Sequence, residues 1–236
     1  MMQTIQIWSE NISSVAYVLV MWWLIIAMIR RRPYLPQAEQ RLARFFIWGF
    51  AILVLGDTGH VGFRTFGYLT GDLGRTIPIF GIQFTLVGLG LFTTSFTITL
   101  FYVAMLMIWR ERFDGRYGWL GIVLFCAAVV RVVFILLPIN EWYSIAAPRP
   151  WAIYRNIPLV VLGLGVAYLM LRDARAAADR TFTWIGVTIL FSYACYVPVV
   201  LFVDDVPVLG MLMIFKSMAY VVIAWIAYAN VFRKAT

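Results

Sequence analysis

Histidine is almost absent from this chain: His60 is the only one in 236 residues. That excludes polyhistidine metal centres and a bis-histidine haem. Cysteine is nearly as scarce. Cys126 and Cys195 both fall inside apolar runs, so they read as small packing residues rather than a disulfide framework or a metal site. Charge is low as well, at 13% of residues, where a soluble domain carries about 25%. No hydrophilic block is long enough to fold alone, so residues 1–236 read as a single domain. There is no serine elbow, zincin pair or glycine-rich phosphate loop. Repeats, low-complexity tracts and linkers are missing too. No basic segment precedes the first apolar run, which argues against a cleaved signal peptide.

What the chain has in plenty is apolar surface: 63% hydrophobic residues and a mean hydropathy of +0.88. The expected fold class is therefore all-α, a polytopic membrane protein. Apolar spans read as 14–30, 45–69, 79–109, 118–138, 154–171, 182–203 and 207–232. Each approaches or exceeds the roughly 20 residues needed to cross the hydrocarbon, giving a seven-transmembrane-helix bundle. Residues 1–13 are mixed in polarity, with Trp8 as an interfacial anchor. The net charge of +8 does not signal nucleic acid, because the basic residues occur in short clusters between spans. Arg30, Arg31, Arg32, Arg41 and Arg44 follow span one; Arg110, Arg112 and Arg116 follow span three. Arg172, Arg175 and Arg180 follow span five, and Arg233 and Lys234 close the chain. The opposite loops hold only Arg75 and Arg149. The arginine-rich side is thus expected to be cytoplasmic, with the N-terminus outside and the C-terminus in the cytoplasm of a bacterial inner membrane. Pro198 is expected to bend span six, and Pro207 to open span seven.

Inside the second span lies Gly56-Asp57-Thr58-Gly59-His60-Val61-Gly62-Phe63-Arg64. On a helix Asp57, His60 and Arg64 share one face. Gly56, Gly59 and Gly62 fall on another, where the missing side chains admit a neighbouring helix. Ionisable groups at membrane depth are functional candidates. Arg64 stands about 10 Å above Asp57 along the helix, and Lys216 about 13–14 Å into span seven. That puts Lys216 near the level of Asp57 and His60, with Arg131 and Arg155 also in the outer half. The coincidence predicts one outward-facing polar pocket. Glu141, Trp142, Tyr143, Arg149, Trp151, Asn156, Asp204 and Asp205 are expected at its mouth. Gln83, Thr85, Thr93, Thr94, Ser95, Tyr193 and Tyr196 are expected along its wall, and Tyr220 lies one turn from Lys216. Simpler roles compete with these. Asp57 pairs structurally with Lys216 or Arg64, and Arg155 snorkels to headgroups. The span-three threonines bond their own backbone, and Asp204 and Asp205 form a solvated turn. Trp22, Trp23, Trp109, Trp142 and Trp151 form an interfacial belt. Arg131 lies too deep to snorkel and calls for a partner or an anionic ligand.

These residues suit acid–base chemistry by Asp57 and His60, with Arg64, Arg131 and Lys216 stabilising negative charge and Glu141, Arg155, Tyr196 and Tyr220 completing the site. Deep bases outnumber the deep acid. The ligand is expected to be an anionic amphiphile, a lipid or an isoprenoid, and no metal or other cofactor is required. Two alternatives stand beside this reading. One is a retinal-type photoreceptor with a Schiff base at Lys216 and Asp57 as counter-ion. Against it, span three lacks the acidic and basic residues of microbial opsins, and Leu212 stands one turn before Lys216. The other is a proton-coupled transporter or sensor, with Pro198 and the span-three glycines as pivots.

Four blocks carry a resemblance: Gly56-Asp57-Thr58-Gly59-His60 with Arg64; Asn140-Glu141-Trp142; Trp151 to Pro158; and Gly210 to Lys216. They resemble blocks in an uncharacterised family of small bacterial seven-helix membrane proteins with a G-D-x-x-H-x-x-x-R motif in helix 2. In those proteins proline is expected where this chain has Phe215. The resemblance implies that Asp57, His60, Arg64, Glu141, Arg155 and Lys216 act as one set, and it implies no substrate. By size and seven-helix architecture the chain is also similar to integral-membrane terpene cyclases, though it carries none of their motifs.

Overall fold

The computed structural model describes residues 2–79, 81–145 and 148–233, with side chains from Asn11 onward. The side chain of Trp8 and all of Lys234 lie outside the described residues. Helix α1 spans Met2–Arg31, α2 Gln40–Thr70, α3 Leu86–Phe113 and α4 Gly118–Leu136. Helices α5 (Arg149–Tyr154) and α6 (Ile157–Ala176) are halves of one crossing, followed by α7 (Arg180–Phe202) and α8 (Leu212–Ala227). Seven stretches are long and apolar enough to cross a membrane. The chain is an all-α bundle of the multi-pass membrane class.

Local chemistry sets the ends of the helices. Gly71, at φ +69°, closes α2 with its N–H turned back to the Gly67 and Tyr68 carbonyls. Thr85 caps α3 by accepting from the Gly88 N–H at 2.9 Å, and Asp179 caps α7 by accepting from Phe182 N–H at 3.1 Å. Pro207 opens the last crossing in a 3-10 turn, Pro207–Met211, before α8 begins. Pro198 lies inside the continuous helix α7.

Span three starts later than its hydropathy suggests. Residues Thr76–Ile79 and Ile82–Thr85 form an antiparallel hairpin, β1 and β2, with Ile79 opposite Ile82 and Gly81 at φ +79°. An apolar run of this length reads equally as strand or helix. The turn glycine and the Thr85 cap decide it here. Thr85 N–H donates to the Trp142 carbonyl at 3.0 Å, which ties the hairpin to the loop after α4. Phe84, Ile135 and Trp142 form a small buried cluster beneath it.

The main core runs through all seven crossings, with Phe46, Phe50, Phe101, Tyr102, Leu162, Ile189 and Ile223 completely buried. Large apolar side chains are exposed around the outside, among them Leu19, Trp23, Trp48, Leu55, Ile122, Val129 and Trp225. An apolar exterior of this extent suits a hydrocarbon surround. The tightest seam joins α2 to α3. A Cβ added at Gly56 would stand 1.8 Å from Thr97 Oγ1, and one at Gly59 would stand 3.1 Å from Thr93 Oγ1. A Cβ at Gly90 would stand 2.9 Å from the His60 Cα. Gly62 takes no part, since nothing lies within 4 Å of where its Cβ would be.

Candidate functional site

Helix α2 carries Asp57, His60 and Arg64 on the stretch facing α1 and α3. The Asp57 carboxylate accepts two short hydrogen bonds, from Tyr17 Oη to Oδ2 and from Thr94 Oγ1 to Oδ1, each 2.7 Å. Among the described residues no cation comes within ion-pair distance of Asp57. The expected structural ion pair with Lys216 or Arg64 is therefore not formed, because two neutral hydroxyls occupy the carboxylate instead. Charged groups still feel each other across the bundle. Asp57, Arg64 and Lys216 all act electrostatically on His60, and Asp57 and Arg131 act on Lys216. His60 Nδ1 is buried without a hydrogen-bond partner, where Gly90 lets α3 press on the His60 backbone. Arg64 lies over the Tyr68 ring at 5.6 Å and donates to its hydroxyl at 3.4 Å.

Lys216 projects from α8 between two aromatic faces. Its Nζ lies 5.0 Å from the centroid of Tyr196 and 5.5 Å from that of Tyr220. Ring quadrupoles stabilise an ammonium at such distances. Ile98, Leu159, Ser192, Tyr193, Tyr196, Lys216 and Tyr220 line a crevice too narrow, as it stands, for a water molecule. Ligand pockets are about 300–1,000 Å³, so the side chains must part to admit any headgroup. Tyr220 Oη lies 3.4 Å from Tyr102 Oη, and Tyr193 Oη donates to the Leu159 carbonyl at 2.9 Å.

Arg131 is the most deeply buried cation, at 1% exposure. It donates to Thr99 Oγ1 at 3.0 Å, to Asn156 Oδ1 at 2.9 Å and to the Arg155 carbonyl. The break between α5 and α6 makes this possible, since it leaves the Arg155 carbonyl outside either helix and open to Arg131. Arg131 thus clasps α4 to α3 and to the broken fifth crossing, using neutral acceptors throughout.

Arg155 does not snorkel. It is 7% exposed, donates to Asn140 Oδ1 at 3.1 Å and lies 4.6 Å over the Trp142 ring. Trp142 is itself buried, donating Nε1–H to the Ile135 carbonyl at 3.0 Å and meeting Phe92 edge-on. The expected interfacial role fails for Trp142. It fails also for Trp109, which donates to Asp173 Oδ2 at 2.8 Å. In both cases an indole N–H with a protein acceptor is better placed inside the bundle.

Among the described residues no hydrogen bond or ion pair ties the Glu141 side chain to the set. It closes the 3-10 turn after α4 at φ +50°, and its carbonyl accepts from the Ser144 N–H. Asp204 and Asp205 are exposed as expected, but they also hold Arg149, with Nε–Oδ2 of Asp204 at 3.4 Å and Nη1–Oδ1 of Asp205 at 3.0 Å. Thr93, Thr97 and Thr99 donate to carbonyls of their own helix, whereas Thr94 donates to Asp57. Sequence reading missed Tyr17, Thr99 and Tyr102 as partners of the site. A tyrosine inside an apolar span is a weak signal, because its ring alone suits the lipid or the core.

Electrostatic contact joins Asp57, His60 and Lys216 with Arg131, and Tyr196 and Tyr220 flank Lys216. No family model, curated protein or solved structure matches this chain.

Proposed function

We propose that this protein is a bacterial inner-membrane protein, N-terminus outside, that binds the anionic headgroup of a lipid or isoprenoid between Lys216, Tyr196 and Tyr220. One observation carries the reading. The Lys216 ammonium lies over two tyrosine rings, with no carboxylate within ion-pair distance among the described residues. Its cationic neighbours Arg131 and Arg155 are likewise held by neutral acceptors. Burying positive charge without a directly paired counter-charge is costly, and a bound anion lowers that cost. The resemblance to the small bacterial family supports reading Asp57, His60 and Lys216 together.

In this reading the headgroup takes the crevice and the tail lies among the apolar helices. Asp57 and His60 manage a proton beside the headgroup. The Asp57 carboxylate is an acceptor already aligned by two hydroxyls, and His60 Nδ1 has no hydrogen-bond partner among the described residues. Together they supply an acid–base pair for chemistry on the bound amphiphile.

The test is native mass spectrometry with lipid extraction, wild type beside Lys216→Ala and the volume-preserving Lys216→Met. An anionic lipid or isoprenoid that copurifies with wild type and is lost from both variants supports the reading. A covalent adduct on Lys216 with visible absorbance points instead to a retinal-type photoreceptor. Equal retention in all three proteins refutes the role of Lys216.

A further inference from the structure

A second site lies at the turn between α6 and α7, on the arginine-rich side and far along the chain from the Lys216 crevice. Here Ala174, Arg175, Ala178, Arg180, Thr183 and Trp184 line a groove of about 490 Å³. Two features of the chain create it. The turn is built from alanines, with Ala178 in the left-handed region at φ +51° and Asp179 N–H returning to the Ala174 carbonyl at 2.8 Å. This brings the chain back on itself over small side chains, so nothing fills the space between the two guanidinium-bearing positions.

The charges are arranged asymmetrically. Arg175 and Arg180 make no hydrogen bond or ion pair with any described residue. The two nearby carboxylates are both engaged elsewhere. Asp173 holds Arg172 at 2.7 Å and the Trp109 indole, and Asp179 holds Arg112 at 2.7 Å while capping α7. The groove therefore presents two uncompensated cations beside an apolar floor, with the Trp184 indole 61% exposed at its edge. Basic pockets between helices with an interfacial tryptophan suit a phosphate-bearing lipid headgroup. The guanidinium fork matches phosphate oxygens.

We propose that this groove binds the phosphodiester headgroup of an anionic phospholipid, its oxygens between Arg175 and Arg180 and its glycerol against Ala178 and Trp184. The site is independent of the Lys216 reading. A lipid rather than a soluble phosphate is the occupant because the groove joins the exposed apolar sides of α6 and α7, where Tyr168, Trp184, Val187 and Phe191 face outward.

The experiment is a native mass spectrometric titration of delipidated full-length protein with phosphatidylglycerol and with phosphatidylcholine. Wild type is compared with Arg175→Gln/Arg180→Gln, with Arg175→Lys/Arg180→Lys, and with Arg30→Gln/Arg31→Gln as an equal loss of charge elsewhere. The expected result is tighter binding of phosphatidylglycerol by wild type, weakened about tenfold by the glutamine pair. Partial recovery is expected in the lysine pair, and little change in the Arg30/Arg31 variant. Equal affinity for the two lipids, or an equal loss in the Arg30/Arg31 variant, overturns the proposal. So does binding of inorganic phosphate to the lipid-free protein that displaces phosphatidylglycerol, since the occupant is then soluble. Both arginines are exposed and unbonded, so the glutamine pair is expected to fold with an unchanged melting temperature.

Discussion

Tyr17 on α1 donates its hydroxyl to Asp57 on α2 at 2.7 Å, so the only carboxylate deep in the second crossing is held by a neutral group of the first. A hydrogen bond to a charged acceptor contributes roughly 1.5–3 kcal/mol. Tyr17→Phe keeps the ring and removes that bond. The expected outcome is a melting temperature lower by a few degrees in detergent, with the helical circular dichroism unchanged. A variant as stable as wild type would show that the carboxylate re-pairs at no cost.

Arg131 predicts the largest loss. Three acceptors in different elements converge on one guanidinium that is 1% exposed. Arg131→Ala strands the Asn156 amide oxygen and the Arg155 carbonyl, at about 1–3 kcal/mol each. Arg131→Lys is expected to fail nearly as badly, because a point-like ammonium cannot span that fan of acceptors. Thermal unfolding of the two variants beside Arg149→Ala checks this, since Arg149 is an exposed arginine.

The seam between α2 and α3 distinguishes two glycines of one motif. Gly56→Ala drives a methyl against both Thr97 Oγ1 and Thr97 Cβ, the latter at 2.8 Å, so rotating the hydroxyl does not relieve it. Overpacking of this kind costs roughly 1–3 kcal/mol. Gly62→Ala meets open space and removes a flexible residue from a helix, which is worth roughly 0.5–1 kcal/mol of added stability. Opposite shifts in melting temperature are expected.

Acid sensitivity is expected on the side of the bundle away from the arginine clusters. The Arg149 guanidinium beside Asp205 holds its carboxyl below the ordinary value of 3.8. A carboxyl depressed in the folded state contributes above its unfolded value, and the contribution disappears as pH falls through the folded one. The tie from α5 to the turn after α7 is therefore present at neutral pH and lost only in strong acid. Pepsin digestion of the 203–206 turn at decreasing pH is expected to accelerate below about 3.8 in wild type. In Arg149→Ala it should be fast across the same range.

Hydropathy made the seven crossings legible, because each needs only length and a lack of charge. It misplaced the start of span three, where Ile77, Ile79, Ile82 and Phe84 are as apolar in a hairpin as in a helix. Charge inside apolar spans marked Asp57, His60, Arg131 and Lys216, and in the structure Asp57 and Lys216 act on His60 while Arg131 acts on Lys216. Partners were harder to read. Arg155 looked like a boundary residue, and only the turn that returns Asn140 and Trp142 over it explains its burial. Tyr17 carries no signal of its own, because the hydroxyl that matters is one atom on an apolar ring.

The glycines of α2 and α3 have a mechanical consequence. Gly90 lets α3 press on the His60 backbone, and Gly56 and Gly59 receive the short, stiff side chains of Thr97 and Thr93, so little between the helices can absorb sliding. Helices packed this way move together or not at all, much like the fixed half of a hinge. Asp57 and His60 ride on that fixed half, while Lys216 rides on α8, which packs against α7 and α1. A rearrangement that opens the crevice by moving α8 away from α3 therefore changes the distance between the ammonium and the carboxylate, so occupancy and the local electric field shift together.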